Sequence, residues 1–179
     1  MHAIVTDTAD KHPSTHHRGK DDRPYVTLIE GLEFKLLQVN ADTGLWVVQT
    51  RFAPGLTIPR HKHTGDVYAV TFSGSWKYLE YPEVNTAGSY LYEPAGSMHT
   101  LHVPASNSEP TEVWFAINGA NLNMDEHDNV ESIWDTPFIT ALYLEECRKA
   151  GVAGSGCDRA VGIGSLHEYS YRNGVGAVE

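Results

Sequence analysis

Residues 53–63 read APGLTIPRHKH and carry two histidines at alternate positions. Pro59 disfavours a helix here, because proline lacks a backbone N–H and restricts the residue before it. In an extended strand, residues two apart point to the same face. We therefore predict that His61 and His63 direct their imidazoles to one point while Lys62 faces away. By itself, a His-x-His pair is weak evidence for a metal site.

Residues 88–99 read GSYLYEPAGSMH and supply a third histidine. Pro94 ends one strand, Gly96 suits a turn, and His99 begins the next strand. If this hairpin lies opposite the first segment, three imidazoles surround one metal ion and leave coordination positions open, as in catalytic rather than structural sites. His102 follows three residues later, on the opposite face of the strand, and is predicted to pack rather than to bind metal.

The rest of the chain predicts an all-β domain. Short runs rich in Val, Thr and aromatic residues recur between residues 25 and 118, and turn signals such as Asp42-Thr43-Gly44 separate them. This pattern is typical of a β-sandwich or barrel. One helix is predicted at the C-terminal end, over residues 138–150, with Thr136 as its cap and Pro137 in its first turn.

Length and composition narrow the possible functions. The 179 residues suffice for one domain, predicted at 23–151 between a flexible lead-in at 1–22 and a glycine-rich tail at 152–179. With 13 basic and 23 acidic residues the net charge is -10, which disfavours binding to nucleic acid or to an anionic membrane. No apolar run is long enough to span a bilayer and no signal peptide is recognisable, so we expect a cytoplasmic protein. Cys147 and Cys157 are expected to be inert thiols.

The two histidine segments resemble the two sequence motifs of the cupin superfamily. The first motif is Gly, five residues, His-x-His, three or four residues, Glu, six residues and Gly. The second is Gly, five residues, Pro-x-Gly, two residues, His, three residues and Asn. The matching positions are Gly55, His61, His63, Gly74, Gly88, Pro94, Gly96 and His99. The resemblance implies a cupin jelly-roll β-barrel or sandwich with a metal near its centre.

Two motif positions differ from the family. Val103 stands where Asn is usual, and the motif Glu falls at Val67 or Tyr68, so the site resembles a three-histidine variant. Glu80 is a candidate for a replacement carboxylate: if Lys77 faces water, the alternation along its strand turns Glu80 inward. Glu80 would then be a distant metal ligand, an acceptor for a histidine N–H or a base, and otherwise a rim carboxylate without a role.

A closer resemblance, over residues 23–151, is to the 2,4'-dihydroxyacetophenone dioxygenases. It rests on residues 52–65, 74–78 and 118–121. The resemblance implies a non-haem Fe(II) enzyme that adds both atoms of O2 to a small aromatic α-hydroxyketone and cleaves it to 4-hydroxybenzoate and formate. The residues that it assigns to the metal are His61, His63 and His99, with Glu80 as the nearest catalytic carboxylate.

Aromatic side chains would suit the pocket of an aromatic substrate. The predicted substrate contacts are Tyr78, Trp76 and Tyr68, with Tyr92 and Trp114 as further inward-facing candidates. Such residues more often pack in a core or pair across strands. Three neutral imidazoles would leave the +2 charge of a divalent metal uncompensated, which favours a chelating anion such as an α-hydroxyketone or a β-diketone enolate.

Three other functions stay open at this point. An acetylacetone-cleaving dioxygenase would apply the same chelate chemistry to a small β-diketone. A non-catalytic zinc-binding cupin sensor, like that of anti-sigma factors, would hold metal without turnover, although the usual motif Glu is lacking. A metal-free sugar-binding or structural cupin is disfavoured by the three histidines. By family analogy we also expect a homo-oligomer, either a dimer or a tetramer.

Overall fold

A computed structural model describes residues 17–152 and Cys157. Most of the predicted lead-in and of the predicted glycine-rich tail lies outside these residues. The described part of the chain forms strands followed by one helix. The elements are β1 (Val26–Ile29), β2 (Leu32–Asn40), β3 (Leu45–Phe52), β4 (Thr57–His63), β5 (Val67–Ser73), β6 (Ser75–Tyr78), β7 (Asn85–Thr86), β8 (Tyr90–Glu93), β9 (Met98–His102), β10 (Thr111–Asn118), β11 (Asn121–Met124), β12 (Val130–Trp134) and α1 (Thr136–Lys149).

The strands form two antiparallel six-stranded sheets. The first sheet has the order β1-β2-β3-β10-β5-β8, and the second has the order β12-β11-β4-β9-β6-β7. Neighbours in each sheet are mostly distant in sequence, which is the connectivity of a jelly roll. The prediction of an all-β jelly-roll sandwich with a C-terminal helix is therefore confirmed.

The two sheets enclose an apolar core. In β5, for example, Val67, Ala69 and Thr71 are buried while the intervening residues are more exposed. This period of two is the expected pattern for a strand with one face against a core. Each large apolar side chain that is fully buried contributes about 1.5–3 kcal/mol, and Trp76 and Phe34 are among the largest of them.

Three strands of the second sheet, β7, β11 and β12, were not predicted. Strand β7 has only two residues, NLNM in β11 is mostly polar, and VESIW in β12 is largely exposed, so none of them shows the alternation of a strand with one buried face. Strand β11 is held by pairing on both sides, with β4 and with β12. Backbone pairing rather than side-chain burial therefore sets this part of the fold.

Helix α1 packs against β1 and β2. Its N-cap is Asp135 and not Thr136 as predicted: the Asp135 carboxylate accepts a hydrogen bond from the Phe138 N–H at 3.0 Å. Thr136 is instead the first helical residue and is buried. On the buried face, the Tyr143 hydroxyl donates to the carbonyl of Pro24 at 2.8 Å, which attaches the helix to the segment before β1.

The C-terminal end of α1 carries a disulfide between Cys147 and Cys157. The expectation of inert thiols was therefore wrong, because the sulfur of Cys157 lies beside that of Cys147 and is bonded to it. Both cysteines are buried. The Arg23 guanidinium donates to the Cys157 carbonyl at 3.1 Å, so this cross-link also contacts the start of the domain. Among the described residues, no helix has the length and apolarity needed to cross a membrane.

Candidate metal centre

His61, His63 and His99 meet inside the molecule. Strands β4 and β9 are antiparallel neighbours, and His61 lies directly opposite His99 in their register. All three imidazoles are buried, whereas Lys62 between the first two is not. Their ring centroids lie 4.9–5.2 Å apart, and one nitrogen from each falls within 4.8 Å of the others. This spacing is compatible with a single metal ion between them.

A tight turn fixes the third histidine relative to the other two. Gly96 has a φ of 89°, a backbone conformation that favours glycine, and its N–H donates to the His63 carbonyl at 2.8 Å. The His63 N–H in turn donates to the Ser97 carbonyl at 3.0 Å. The turn between β8 and β9 is therefore hydrogen-bonded to the end of β4, and β9 begins with His99 beside the pair.

His61 is prepared for metal binding by its surroundings. Its Nδ1 lies 2.9 Å from the Pro59 carbonyl oxygen, which can only accept, so Nδ1 carries the hydrogen and Nε2 is left with a lone pair. Burial, followed by the neighbouring His63, lowers the pKa of His61 to about 4. The imidazole is therefore neutral at pH 7, as a metal ligand must be.

Sequence reasoning missed a buried carboxylate beside the histidines, that of Glu93. Its Oε2 lies 3.1 Å from Nε2 of both His63 and His99. Although these are short distances, Glu93 Oε2 and His99 Nε2 have no hydrogen bond with acceptable angles among the described residues. Burial alone would raise the pKa of Glu93, but the two imidazoles outweigh it and hold the pKa well below its usual range. Glu93 is thus an ionised carboxylate in contact with two of the three candidate ligands.

The strand register explains how this carboxylate reaches the site. Glu93 is the last residue of β8 and pairs with Val67 of β5. Val67 is one of the two positions at which the cupin motif usually has its Glu. Because residues directly opposite on antiparallel strands have neighbouring Cβ atoms, Glu93 brings a carboxylate to nearly the same place from the adjacent strand. The sequence feature that could have identified Glu93 as a site residue is its position directly before Pro94, within the second cupin motif.

Tyr78 connects this carboxylate to His99. Its hydroxyl donates to Glu93 Oε1 at 2.5 Å, and its ring stacks on the His99 imidazole with the centroids 3.6 Å apart. Burial, together with the Glu93 charge, raises the pKa of Tyr78 well above its ordinary value, so the phenol keeps its proton. Tyr78 therefore holds both side chains in place.

The other predicted carboxylate, Glu80, is not part of this cluster. Strand β6 ends at Tyr78, so the alternation that would have turned Glu80 inward does not continue. The Glu80 side chain is exposed and accepts a hydrogen bond from the Thr100 N–H at 2.9 Å. His102 faces away from the site, as expected, with its Nδ1 2.8 Å from the Thr57 hydroxyl.

The predicted aromatic contacts are divided between the core and the outer surface. Trp76 is fully buried and donates from Nε1 to the Thr71 hydroxyl at 2.9 Å. Tyr68 and Tyr92 pair across the outer face of the first sheet with centroids 5.5 Å apart, and Trp114 lies on that same face. Of the aromatic candidates, only Tyr78 lines the cavity between the two sheets.

A cavity of about 100 Å³ lies between the two sheets and reaches His61 and His63. Its walls are almost entirely apolar, and the polar residues among them are Thr50, His61, His63, Tyr78 and Asn121. The apolar lining residues are Leu28, Leu32, Phe34, Trp46, Val48, Phe52, Ile58, Leu101, Phe115, Ile117, Trp134 and Ile139. The last of these belongs to α1, so the helix closes one side. An apolar chamber with a few polar groups at one place is the usual form of a small-molecule site.

Comparison with known proteins places the fold in a family. The model of the ChrR cupin-like domain family matches residues 14–121. A crystal structure from Ralstonia eutropha JMP134, described as a protein of unknown function with a cupin-like fold, is 35% identical, with a TM-score of 0.69 over 76% of this chain and 91% of that one. A search of curated protein sequences gave no significant match.

Two further crystal structures share the fold at lower identity. An RmlC-like cupin from the same organism is 24% identical, with a TM-score of 0.76 over 83% of this chain and 94% of that one. An acetylacetone dioxygenase from Acinetobacter johnsonii is 18% identical, with a TM-score of 0.69 over 76% of this chain and 95% of that one. Because the family model spans more than half of the sequence, the chain belongs to the ChrR cupin-like domain family.

Proposed function

We infer that this protein is a non-haem iron(II) dioxygenase that cleaves the carbon–carbon bond of an aromatic α-hydroxyketone. With 2,4'-dihydroxyacetophenone and O2, the products would be 4-hydroxybenzoate and formate, which together with two released protons account for all atoms of both substrates. The observation that carries the proposal is that His61 and His63, two members of a buried cluster of three histidines, line an apolar cavity. A metal held there would meet an organic substrate out of bulk water.

The donor set fits a divalent metal. His61, His63 and His99 would hold it, and three protein nitrogens leave positions for substrate and oxygen. Bound iron(II) would supply a chelation site for the two oxygens of the substrate and would activate dioxygen. Two buried nitrogens of these histidines, His63 Nδ1 and His99 Nε2, have no hydrogen-bond partner within the described part of the chain, which is unusual unless another group completes the site.

The protein's own charges favour a substrate that binds as a monoanion. Three neutral imidazoles add no charge to a divalent ion, and the ionised Glu93 carboxylate beside His63 and His99 offsets one of its two positive charges. One further negative charge then gives a neutral site, which matters because an uncompensated charge is costly in an apolar interior. An α-hydroxyketone that has lost one proton from the carbon bearing its hydroxyl, an enediolate, meets this requirement and keeps its hydroxyl hydrogen.

The walls of the cavity favour an aromatic body. Side chains such as Phe34, Trp46 and Phe115 surround the space beyond the histidines, where a phenyl ring would bury its apolar surface at about 25 cal/mol per Å². The exclusion of water strengthens electrostatic contacts at the metal end of the substrate. The cavity would thereby align the ring with the walls and the ketone with the histidines.

Oxygen uptake tests the proposal. Metal-free protein is loaded anaerobically with iron(II), 2,4'-dihydroxyacetophenone and oxygen are added, and consumption is followed with an electrode while the products are identified by mass spectrometry. We expect one O2 per substrate and both named products. The variant His99→Ala should lose tight iron binding and uptake. Iron bound at one equivalent without any uptake would exclude this substrate.

Two observations support other functions for the same centre. The fold shared with an acetylacetone dioxygenase makes acetylacetone the second substrate to assay. Glu93 would also complete four protein ligands, which is the closed arrangement of structural zinc sites, and this supports a zinc-binding sensor. Much tighter binding of zinc than of iron, with no oxygen uptake on either ketone, would favour the sensor.

A further inference from the structure

Asn121 presents an unused polar group to the cavity. It is the first residue of β11, where it lies between His63 of β4 and Trp134 of β12 in the register of the second sheet. Its side chain lines the cavity, and its Oδ1 is buried without a hydrogen bond among the described residues. A buried acceptor without a partner destabilises a fold, so each instance calls for a physical explanation.

The other polar groups of the cavity wall are already engaged. The Thr50 hydroxyl donates to the Val113 carbonyl at 3.1 Å, and the Tyr78 hydroxyl donates to Glu93. The two remaining polar residues are candidate metal ligands, His61 and His63. Among the wall side chains that carry an oxygen acceptor, within the described part of the chain, Asn121 is therefore the one left to accept a hydrogen bond from a molecule in the cavity.

The register also shows which part of a ligand Asn121 would meet. Residues directly opposite on antiparallel strands point to the same face, with Cβ atoms about 4.5–5.5 Å apart. Asn121 therefore lies beside His63, at the metal end of the cavity, whereas Phe34 of the first sheet and Ile139 of α1 form other parts of its wall. A group that reaches Asn121 must be close to the chelating oxygens of a substrate.

We propose that Asn121 positions the substrate by accepting a hydrogen bond from the hydroxyl next to the ketone, and so selects α-hydroxyketones over β-diketones. This inference rests on the proposed function. An α-hydroxyketone has a hydroxyl hydrogen beside its carbonyl, and Oδ1 is an acceptor. A β-diketone enolate has only acceptor oxygens at the same place, so it offers nothing for Oδ1 to accept. Asn121 is thus a positioning residue rather than a metal ligand.

Ligand binding without turnover tests this role. Protein loaded with nickel(II), under anaerobic conditions, is titrated by calorimetry with 2-hydroxyacetophenone, with its methyl ether 2-methoxyacetophenone, and with acetylacetone. The variant Asn121→Leu removes the amide at similar size. As a matched control, Thr50→Val removes a cavity hydroxyl whose hydrogen is already bonded.

Asn121→Leu should weaken the binding of 2-hydroxyacetophenone about tenfold, which is the effect of one hydrogen bond. The affinity for acetylacetone should change by less than about twofold. The preference of the wild type for the hydroxyl compound over its methyl ether should disappear in Asn121→Leu and persist in Thr50→Val. Without ligand, the melting temperature of Asn121→Leu should equal or exceed that of the wild type, because an unpaired acceptor is removed.

The outcomes separate this inference from the proposed function. If the wild type binds 2-hydroxyacetophenone and Asn121→Leu binds it equally well, only the role of Asn121 is wrong. Equal weakening of all three ligands, or a marked fall in melting temperature, would assign the amide a structural role and overturn the inference. If the wild type binds acetylacetone but not 2-hydroxyacetophenone, the substrate class and the inference both fail.

Discussion

Replacing Glu93 by Gln should weaken metal binding more than any change of a residue that is not a histidine ligand. The substitution keeps the size of the side chain and an oxygen for Tyr78, but it removes a negative charge that lies 3.1 Å from Nε2 of both His63 and His99. Because Glu93 is only 3% exposed, water screens this charge weakly.

The expected magnitude follows from these contacts. Groups that contact metal-binding histidines typically change metal affinity by about 10–100-fold, or about 1.4–2.7 kcal/mol. Glu93 contacts two such histidines and is buried, so the loss should lie near the upper end, at about 100-fold. A direct bond between Glu93 and the metal would increase it further.

Chelator competition measures this effect. Dissociation constants for Zn²⁺ and Fe²⁺ are obtained with a chromogenic chelator for the wild type, Glu93→Gln and Glu80→Gln, with circular dichroism to verify folding. Glu80→Gln is the matched control, because it makes the same chemical change at an exposed carboxylate that bonds to the Thr100 N–H. We expect it to change affinity by less than about twofold. Equal losses in both variants, or a loss confined to Glu80→Gln, would refute the assignment.

Three further predictions concern stability. Burial lowers the pKa of His61 from 6.5 to about 4, so the contribution of neutral His61 to folding stability is full above about pH 6.5 and is lost as the pH falls towards 4. Urea unfolding of the metal-free protein should show that the free energy of unfolding falls by about 3 kcal/mol over that interval, and a flat profile would contradict this. Removing the disulfide by Cys157→Ser should lower the free energy of unfolding by about 2.7 kcal/mol, given its separation of 10 residues, and the melting temperature by roughly 5–10 °C. A reductant should have the same effect on the wild type but none on the variant. Gly74→Ala should destabilise more than Gly88→Ala in urea unfolding. Both glycines have positive φ, but the new Cβ at Gly74 would overlap Thr111 Oγ1 and lie 2.8 Å from Thr111 Cα, whereas no atom of the described residues lies within 4 Å of the one at Gly88. Equal losses of stability in the two variants would mean that Thr111 moves to accommodate the new Cβ at position 74.

The sequence was sufficient to predict the sandwich and the meeting of the three histidines. Both depend on local patterns: the period of two along β4 places His61 and His63 on one face, and the turn at Gly96 places His99 at the start of β9. Turn signals between β-rich runs indicated the other strands. Where the pattern was weak, as in the polar strand β11, pairing with two neighbours determined the structure and the prediction failed.

The carboxylate of the site could not be predicted from local patterns. Glu93 reaches the histidines because β8 pairs with β5 in the first sheet while His63 and His99 lie on strands of the second. That arrangement depends on pairings between strands that are far apart in sequence. Glu80 was preferred because strand alternation was extended past Tyr78, where β6 ends. The cross-link of Cys147 to Cys157 similarly joins two residues whose proximity no local pattern indicates.

The fold does not test several of the predictions. The specific resemblance to 2,4'-dihydroxyacetophenone dioxygenases, iron as the metal, a dimeric or tetrameric state and a cytoplasmic location all stay predictions. The cupin part of the resemblance is confirmed by the family match and by the jelly-roll topology.

The pairing of Val67 with Glu93 implies that the acidic group of this centre can be moved between strands without changing its chemistry. Position 67 is fully buried and directly faces position 93. The double substitution Val67→Glu with Glu93→Val would therefore exchange the carboxylate and the aliphatic group while conserving total volume and charge.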